Sequence, residues 1–178
     1  MGQVAVRLTV LVALAALILA ACKDEAEPRT RLEAGEACPV TAPPQPGFAA
    51  PAPWGQEPPA PLVWFSDEDI WTTLSPDGER GTTNDRGRYE LRQFWLSDNF
   101  VPRAEDPPKI ELLIRRLDGL EVVRIPAPGS SGTRPVDEYW EFMIAGASLP
   151  TLGCWKIAAS YKGTTLSYIT LVQDAVAP

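Results

Sequence analysis

Gly153–Val172 reads "GCWKIAASYKGTTLSYITLV", and its pattern decides the fold. In the first half, Trp155, Ile157, Ala159 and Tyr161 fall at every second position. That period of two is the mark of a strand with one face in a core. Lys162-Gly163 turns the chain, and "TTLSYITLV" runs back. Two strand-like runs joined by so short a turn make an antiparallel hairpin.

The same grammar extends toward the N-terminus. "KIELLIRRL" sets Ile110, Leu112 and Ile114 on one face, Asp118-Gly119 turns, and "LEVVRI" follows. "EYWEFMIAG" reads as a strand, with helix as the other possibility, and "PAPGSSGTRP" before it reads as an exposed loop. "YELRQFWL" alternates imperfectly, because Tyr89 and Leu91 share one face while Phe94 and Leu96 share the other. The mismatch predicts a bulge near Arg92 or Gln93. "PLVWF" and "DIWTTL" are short strand candidates, and "SPDGERG" is a turn signal after them. "GTTNDRGR" reads as a loop or hairpin tip. Short runs with turns every 8 to 12 residues or so predict an all-β sandwich or barrel over 62–178. Neither a sustained helical period nor an internal repeat is visible.

Upstream the composition changes. Lys23–Ala37 is charged and poor in apolar residues, so 22–37 reads as a flexible tether. Residues 38–61, "CPVTAPPQPGFAAPAPWGQEPPAP", are proline-rich. Composition alone makes them a polyproline-like spacer. A bond from Cys38 to the domain would instead make them an ordered, irregular strap, with Phe48 and Trp54 packed on the surface.

The N-terminus carries an address. Arg7 precedes the apolar run Leu8–Ala20, and small residues then lead to Cys22. This is the n-region, h-region and cleavage site of a secretory signal. The run is shorter than the roughly 20 residues of a membrane-spanning helix. Leu19-Ala20-Ala21-Cys22 resembles the bacterial lipobox. That resemblance implies removal of 1–21, a thioether-linked lipid on Cys22 and acylation (palmitate or similar) of its new amino group. It implies an extracytoplasmic protein held on a bacterial cell membrane or outer membrane. An ordinary signal peptide, with Cys22 left over, is the plainer reading of the same residues.

Charge and cysteines narrow the function classes. A formal charge of -7 argues against nucleic acid as a partner. With Cys22 lipidated, Cys38 and Cys154 remain, and an even remainder in an exported chain reads as a disulfide. Two free thiols are the alternative. The sequence contains 0 histidines, which removes His-based triads and His-ligated metals, and no cofactor is expected.

The last third resembles an immunoglobulin-like domain, on Pro150, Gly153-Cys154-Trp155 and the closing run Thr164–Val172. More closely, the chain resembles a family of uncharacterised bacterial secreted lipoproteins. The motifs are Cys38-Pro39-Val40-Thr41 with Pro43-Pro44, then Ile70-Trp71-Thr72-Thr73-Leu74-Ser75-Pro76-Asp77-Gly78, then Arg115-Arg116-Leu117-Asp118-Gly119, then Gly153-Cys154-Trp155. The sequence departs from that family at Ile70 and in 81–88. The resemblance implies a paired Cys38 and Cys154 and a compact β domain. It implies no activity.

The remaining candidates are few. The tryptophans are Trp54, Trp64, Trp71, Trp95, Trp140 and Trp155. They read mainly as core, with Trp54 the one placed to stack on a ligand. Asp67, Glu68 and Asp69, or Asp77, Asn84 and Asp85, are oxygen-rich but lack the spacing of a calcium loop. Ser130-Ser131 has no histidine to activate it, and a pairing with Lys109, Lys156 or Lys162 finds no support in spacing. Arg115 and Arg116 read as a solvated pair beside Asp118 and Glu121, with an anion clamp as the sharper alternative. The expectation is a membrane-anchored, non-catalytic binding or structural protein of the cell envelope, with an envelope protein or glycan as partner. A carbohydrate- or peptidoglycan-binding module is the first alternative, and a carboxylate-based hydrolase the second.

Overall fold

A computed structural model describes residues 31–44, 49–50, 58, 61–67, 69–82, 88–101, 104–136 and 138–174. The chain divides into two units, Met1–Thr30 and Arg31–Pro178, and every described residue lies in the second. Among the described residues there is no helix. Ten strands run in chain order: β1 (Val63–Asp67), β2 (Ile70–Leu74), β3 (Glu79–Thr82), β4 (Tyr89–Ser97), β5 (Glu111–Arg116), β6 (Val122–Ile125), β7 (Ser130–Val136), β8 (Glu138–Leu149), β9 (Gly153–Tyr161) and β10 (Thr164–Asp174). They form two five-stranded sheets, ordered β1-β2-β4-β8-β7 and β3-β10-β9-β5-β6. All pairings are antiparallel except β3 with β10.

The β9–β10 hairpin is the longest local unit, with Tyr161 opposite Thr164 and Gly153 opposite Val172. Its turn needs positive φ at both central residues, and Lys162 (φ 47°) and Gly163 (φ 90°) supply it. Alternation then does what the sequence predicts. Trp155, Ile157, Ala159 and Tyr161 are buried, and so are Leu166, Tyr168 and Val172 on the returning strand. Ile110, Leu112 and Ile114 lead into and along β5, and they join the same core. From the other sheet come Ile70, Leu74, Leu91, Trp95, Met143, Ala145, Ala147 and Leu149. Burying one face of each sheet against the other is the solution open to amphipathic strands.

Two expectations fail. No bulge interrupts β4, whose pairing with β8 runs one-for-one from Tyr89↔Leu149 to Trp95↔Met143. The pattern looks broken because β4 is covered on both faces. Leu91 and Trp95 enter the inter-sheet core. Leu96 and Phe94 join a second cluster with Trp64, Trp71, Phe142 and Ala50. The other failure is "PAPGSSGTRP", expected as a loop. Ser130–Val136 pairs with β8 along its whole length, from Ser130↔Ile144 to Val136↔Glu138. Composition misled here because the twelve-residue β8 offers a long template, and an edge strand tolerates proline such as Pro135.

Gly146 sits opposite Arg92 in the β4–β8 ladder. A Cβ there would collide with Leu91 O and come 3.0 Å from Arg92 Cα. Both atoms are backbone, so neither can rotate away. Gly146→Ala is therefore expected to destabilise the fold by about 1–3 kcal/mol, read as a lower urea midpoint with an unchanged slope.

Candidate functional site

The four sequence motifs, distant along the chain, meet in two pairs. Cys38 and Cys154 are joined by a disulfide, with Cα atoms 5.5 Å apart. Three residues on, the Thr41 N–H donates to Ile169 O at 2.9 Å. The Ile169 N–H donates back to Thr41 Oγ1 at 2.8 Å. Thr41 thus continues the edge of β10 just before β3, which pairs from Leu171 onward. Pro43 is buried, and Ala50 packs into the cluster of Trp64, Trp71 and Leu96. The described parts of the proline-rich strap are therefore docked.

Gly78, the last residue of the "PDG" turn, seats the strap. Its φ of +67° suits glycine, and a Cβ would lie 2.5 Å from Val40 Cβ. Its carbonyl accepts from Leu171 N–H at 3.1 Å and from the buried Thr170 hydroxyl at 2.9 Å. At the other pair, Arg116 donates from Nε to Asp118 Oδ1 at 2.8 Å. Its Nη1 donates to Glu121 Oε1 and Thr151 Oγ1, each at 2.9 Å. Asp118 Oδ1 also accepts the Cys154 N–H at 3.2 Å. Leu117 N–H donates to Cys154 O at 2.8 Å, and Leu32 N–H to Leu117 O at 2.7 Å. Asp118 holds the Arg116 guanidinium above its ordinary pKa, with Glu121 adding to the effect. Glu121 is lowered, first by a backbone N–H and then by Arg116. Arg116 is thus engaged by two carboxylates rather than presented as an anion clamp, while Arg115 is exposed.

A third polar group joins the β4–β5 connection to the β9–β10 turn. Lys162 Nζ lies 2.6 Å from Glu105 Oε1 and donates to Asn99 O at 2.6 Å. Tyr161 donates its hydroxyl to Glu105 Oε2 at 2.5 Å. These bonds hold Lys162 at its positive φ, which a non-glycine residue rarely adopts. The Lys162 ammonium, followed by the Tyr161 hydroxyl, lowers the Glu105 pKa. Glu105 in turn raises Lys162. Tyr161 is raised, chiefly by burial and then by Glu105.

The candidate binding feature lies where β2 and β4 part. Their ladder holds only at Ile70↔Ser97 and Trp71↔Leu96. Beyond it, side chains bridge the strands. Gln93 Nε2 donates to Thr72 Oγ1 at 2.5 Å and to Thr73 O at 2.8 Å. Thr72 Oγ1 donates to Phe94 O at 2.7 Å. A cleft of about 240 Å³ opens here, lined also by Thr41 of the strap and Thr170 of β10. A second depression of about 210 Å³ shares Arg92, Gln93 and Phe94 in its lining and adds Phe142 and Ile144. The Phe94 and Phe142 rings are 5.7 Å apart at 56°.

Of the residues singled out in the sequence, Cys22 and Trp54 lie outside the described residues. Trp64, Trp71, Trp95 and Trp155 are buried, the last three almost completely. Trp140 is in β8, where its side chain is not described. Asp77 accepts the Ser75 hydroxyl at 2.5 Å, as a turn residue does. Among the described residues, no group of three or more His, Cys, Asp or Glu could hold a metal ion. Ser130 and Ser131 lie in β7. Lys162 is taken up by Glu105 and Asn99. Sequence reasoning missed the cleft and the Glu105–Tyr161–Lys162 group. The one available signal was Gln93, a polar residue on the core face of β4. No family model, curated protein or solved structure matches the chain.

Two predictions follow from this geometry. Gly78→Ala collides with Val40 and strains the turn, so it should unseat the strap. Hydrogen exchange at the Thr41 and Ile169 amides is expected to accelerate while β5 and β9 keep their protection. Glu105 titrates below its ordinary 4.5 when folded. Its contribution to stability is therefore present above that value and lost as pH falls through the lowered folded pKa. Glu105→Gln should flatten the acid limb of a stability–pH profile measured by urea melts.

Proposed function

We propose that this chain is an exported lipoprotein whose immunoglobulin-like domain binds a partner at the cell envelope without catalysing a reaction. The reading takes 1–21 as a signal peptide and Cys22 as the lipidated residue. It places the domain outside the cytoplasm, on a bacterial cell membrane or outer membrane, and within the family of secreted lipoproteins that its motifs resemble. The observation that carries it is the Cys38–Cys154 disulfide. Disulfides persist in oxidising, extracytoplasmic compartments, and this one agrees with the secretory signal read in residues 1–21.

The immunoglobulin-like part rests on strand order. Such domains place strands A, B, E and D in one sheet and C, F and G in the other, with C′ added in variable types. Reading β2, β4, β8 and β7 as A, B, E and D leaves β5, β6, β9 and β10 as C, C′, F and G. β1 and the parallel strand β3 are additions at the edges. Domains of this architecture serve many functions, so the binding role rests on the cleft and the address, not on the fold.

Two or three acyl chains, at roughly 0.8 kcal/mol per buried CH2, suffice for stable anchoring. Intact mass of the protein purified from its native membrane, with thiol labelling before and after reduction, tests the reading. A diacyl- or triacylglycerol adduct on Cys22, with Cys38 and Cys154 blocked until reduction, is expected. An unlipidated chain with freely labelled thiols would overturn it.

A further inference from the structure

We infer that the outer face of the second sheet, at the end formed by the β5–β6 hairpin, is the surface by which the domain lies on an anionic phospholipid bilayer. This deepens the envelope reading and rests on it for the presence of a membrane. The alternation that sends Leu112, Ile114 and Ile157 into the core turns their neighbours outward. Register then lines those neighbours up. Arg115 is opposite Val122 on β6 and Lys156 on β9. Arg124 is opposite Leu113, two residues back along β5. Paired strands lie about 4.8 Å apart, so Arg124, Arg115 and Lys156, on three adjacent strands, share one patch.

The patch is not compensated from within. None of the three cations has a carboxylate partner among the described residues. Like charges directly opposite in a ladder, as Arg115 and Lys156 are, destabilise a sheet. An anionic surface relieves that repulsion. The carboxylates of the adjoining turn, Asp118 and Glu121, both bond Arg116. Glu111 shares the face but is opposite Ser160, at the other end of β5. Glu33 and Glu36 belong to the incoming chain rather than to the sheet.

An apolar tip accompanies the charge. Among the described residues three large apolar side chains are exposed, and two of them are here, Leu120 at 79 % and Val122 at 49 %. Interfacial binding adds apolar burial to attraction for anionic headgroups, and this hairpin offers both. A soluble anion would use the cations alone. The chain also enters the domain at this end, where Leu32 N–H donates to Leu117 O at 2.7 Å. Exposed Arg31 precedes Leu32. Cys22 stands ten residues upstream, a length that spans at most about 35 Å. A lipid on Cys22 therefore tethers the domain by its cationic end. The formal charge of -7 does not oppose this docking, because exposed charges more than about 8 Å from the surface are largely screened. The anchor recruits, and the patch sets the orientation.

Nuclear magnetic resonance of residues 22–178, oxidised and coupled through the Cys22 thiol to a maleimide lipid in nanodiscs, tests this. The compact unit that begins at Arg31 lies wholly within that chain, and chemical coupling makes the result independent of lipidation in the cell. On mixed phosphatidylglycerol–phosphatidylcholine discs, a gadolinium-headgroup lipid is expected to relax the Leu120, Val122 and Arg124 signals most, and Thr73 and Ser130 of the other sheet least. On pure phosphatidylcholine discs that contrast should vanish. Arg115→Gln and Arg124→Gln should each lower the docked-to-free ratio by about five-fold, and Leu120→Ser by about ten-fold. Unchanged Ile114 and Ile157 signals are the control for folding. Even relaxation on anionic discs would overturn the inference, as would full docking in the doubly substituted Arg115→Gln, Arg124→Gln chain or on neutral discs. Saturable shifts of Arg115 and Arg124 with polyglutamate or inorganic phosphate, without a bilayer, would overturn it in favour of a soluble acidic ligand. Even relaxation together with a native lipid on Cys22 would remove only the docking face. Docking by a chain whose native Cys22 bears no lipid would uphold the face and remove only the envelope address.

Discussion

The bond between Cys38 and Cys154 is the constraint on which the arrangement of this molecule depends. It ties a proline-rich segment, poor in strand-forming residues, to the start of the most regular hairpin in the domain. Its partners are 116 residues apart. In the chain-entropy model, closing so long a loop removes about 4.7 kcal/mol of freedom from the unfolded chain. Prolines have little conformational entropy left to lose, so a proline-rich strap is a low-cost segment to order. The staple needs only a few further contacts to hold the strap in register, and Thr41 supplies them by donating its N–H to Ile169 O and accepting the Ile169 N–H on its hydroxyl oxygen.

Around that staple the sequence motifs become intelligible as fittings. Gly78 lacks a side chain because Val40 occupies its place. At Gly153 a Cβ would come 2.8 Å from Asp118 Oδ2. Asp118 is where it is because it bonds both Arg116 and the Cys154 amide. Residues from "CPVT", "PDG", "RRLDG" and "GCW" thus hold one another. The cleft sits beside this frame rather than within it. Thr41 belongs to both, so the docked strap forms part of the wall that a ligand would meet.

Much of the fold was legible in the sequence because the clearest strands of the inter-sheet core obey a period of two. Trp155 to Tyr161 and Ile110 to Ile114 are the clearest cases. β4 was misread for a physical reason: a strand covered on both faces has no polar face to mark its phase. Gln93, buried and hydrogen-bonded, then resembles a defect. β7 was missed because Ser, Gly and Pro describe a loop when read alone, while its partner β8 dictates a strand. The turn at Lys162 was readable as a turn, but not how a lysine tolerates positive φ. Glu105, which answers that, is distant in sequence. The cleft is the least legible feature, because it arises where a ladder stops. No local pattern at Ile70–Leu74 or Arg92–Phe94 encodes where two strands will separate.

Native-state hydrogen exchange on the oxidised protein, repeated after reduction, tests most directly whether the staple governs the strap. The account predicts protected amides at Thr41, Ile169 and Leu117 in the oxidised form. On reduction those three should open while Ile114 and Ile157, deep in the second sheet, stay closed. Free exchange at Thr41 with the disulfide intact, or protection that survives reduction unchanged, would contradict it.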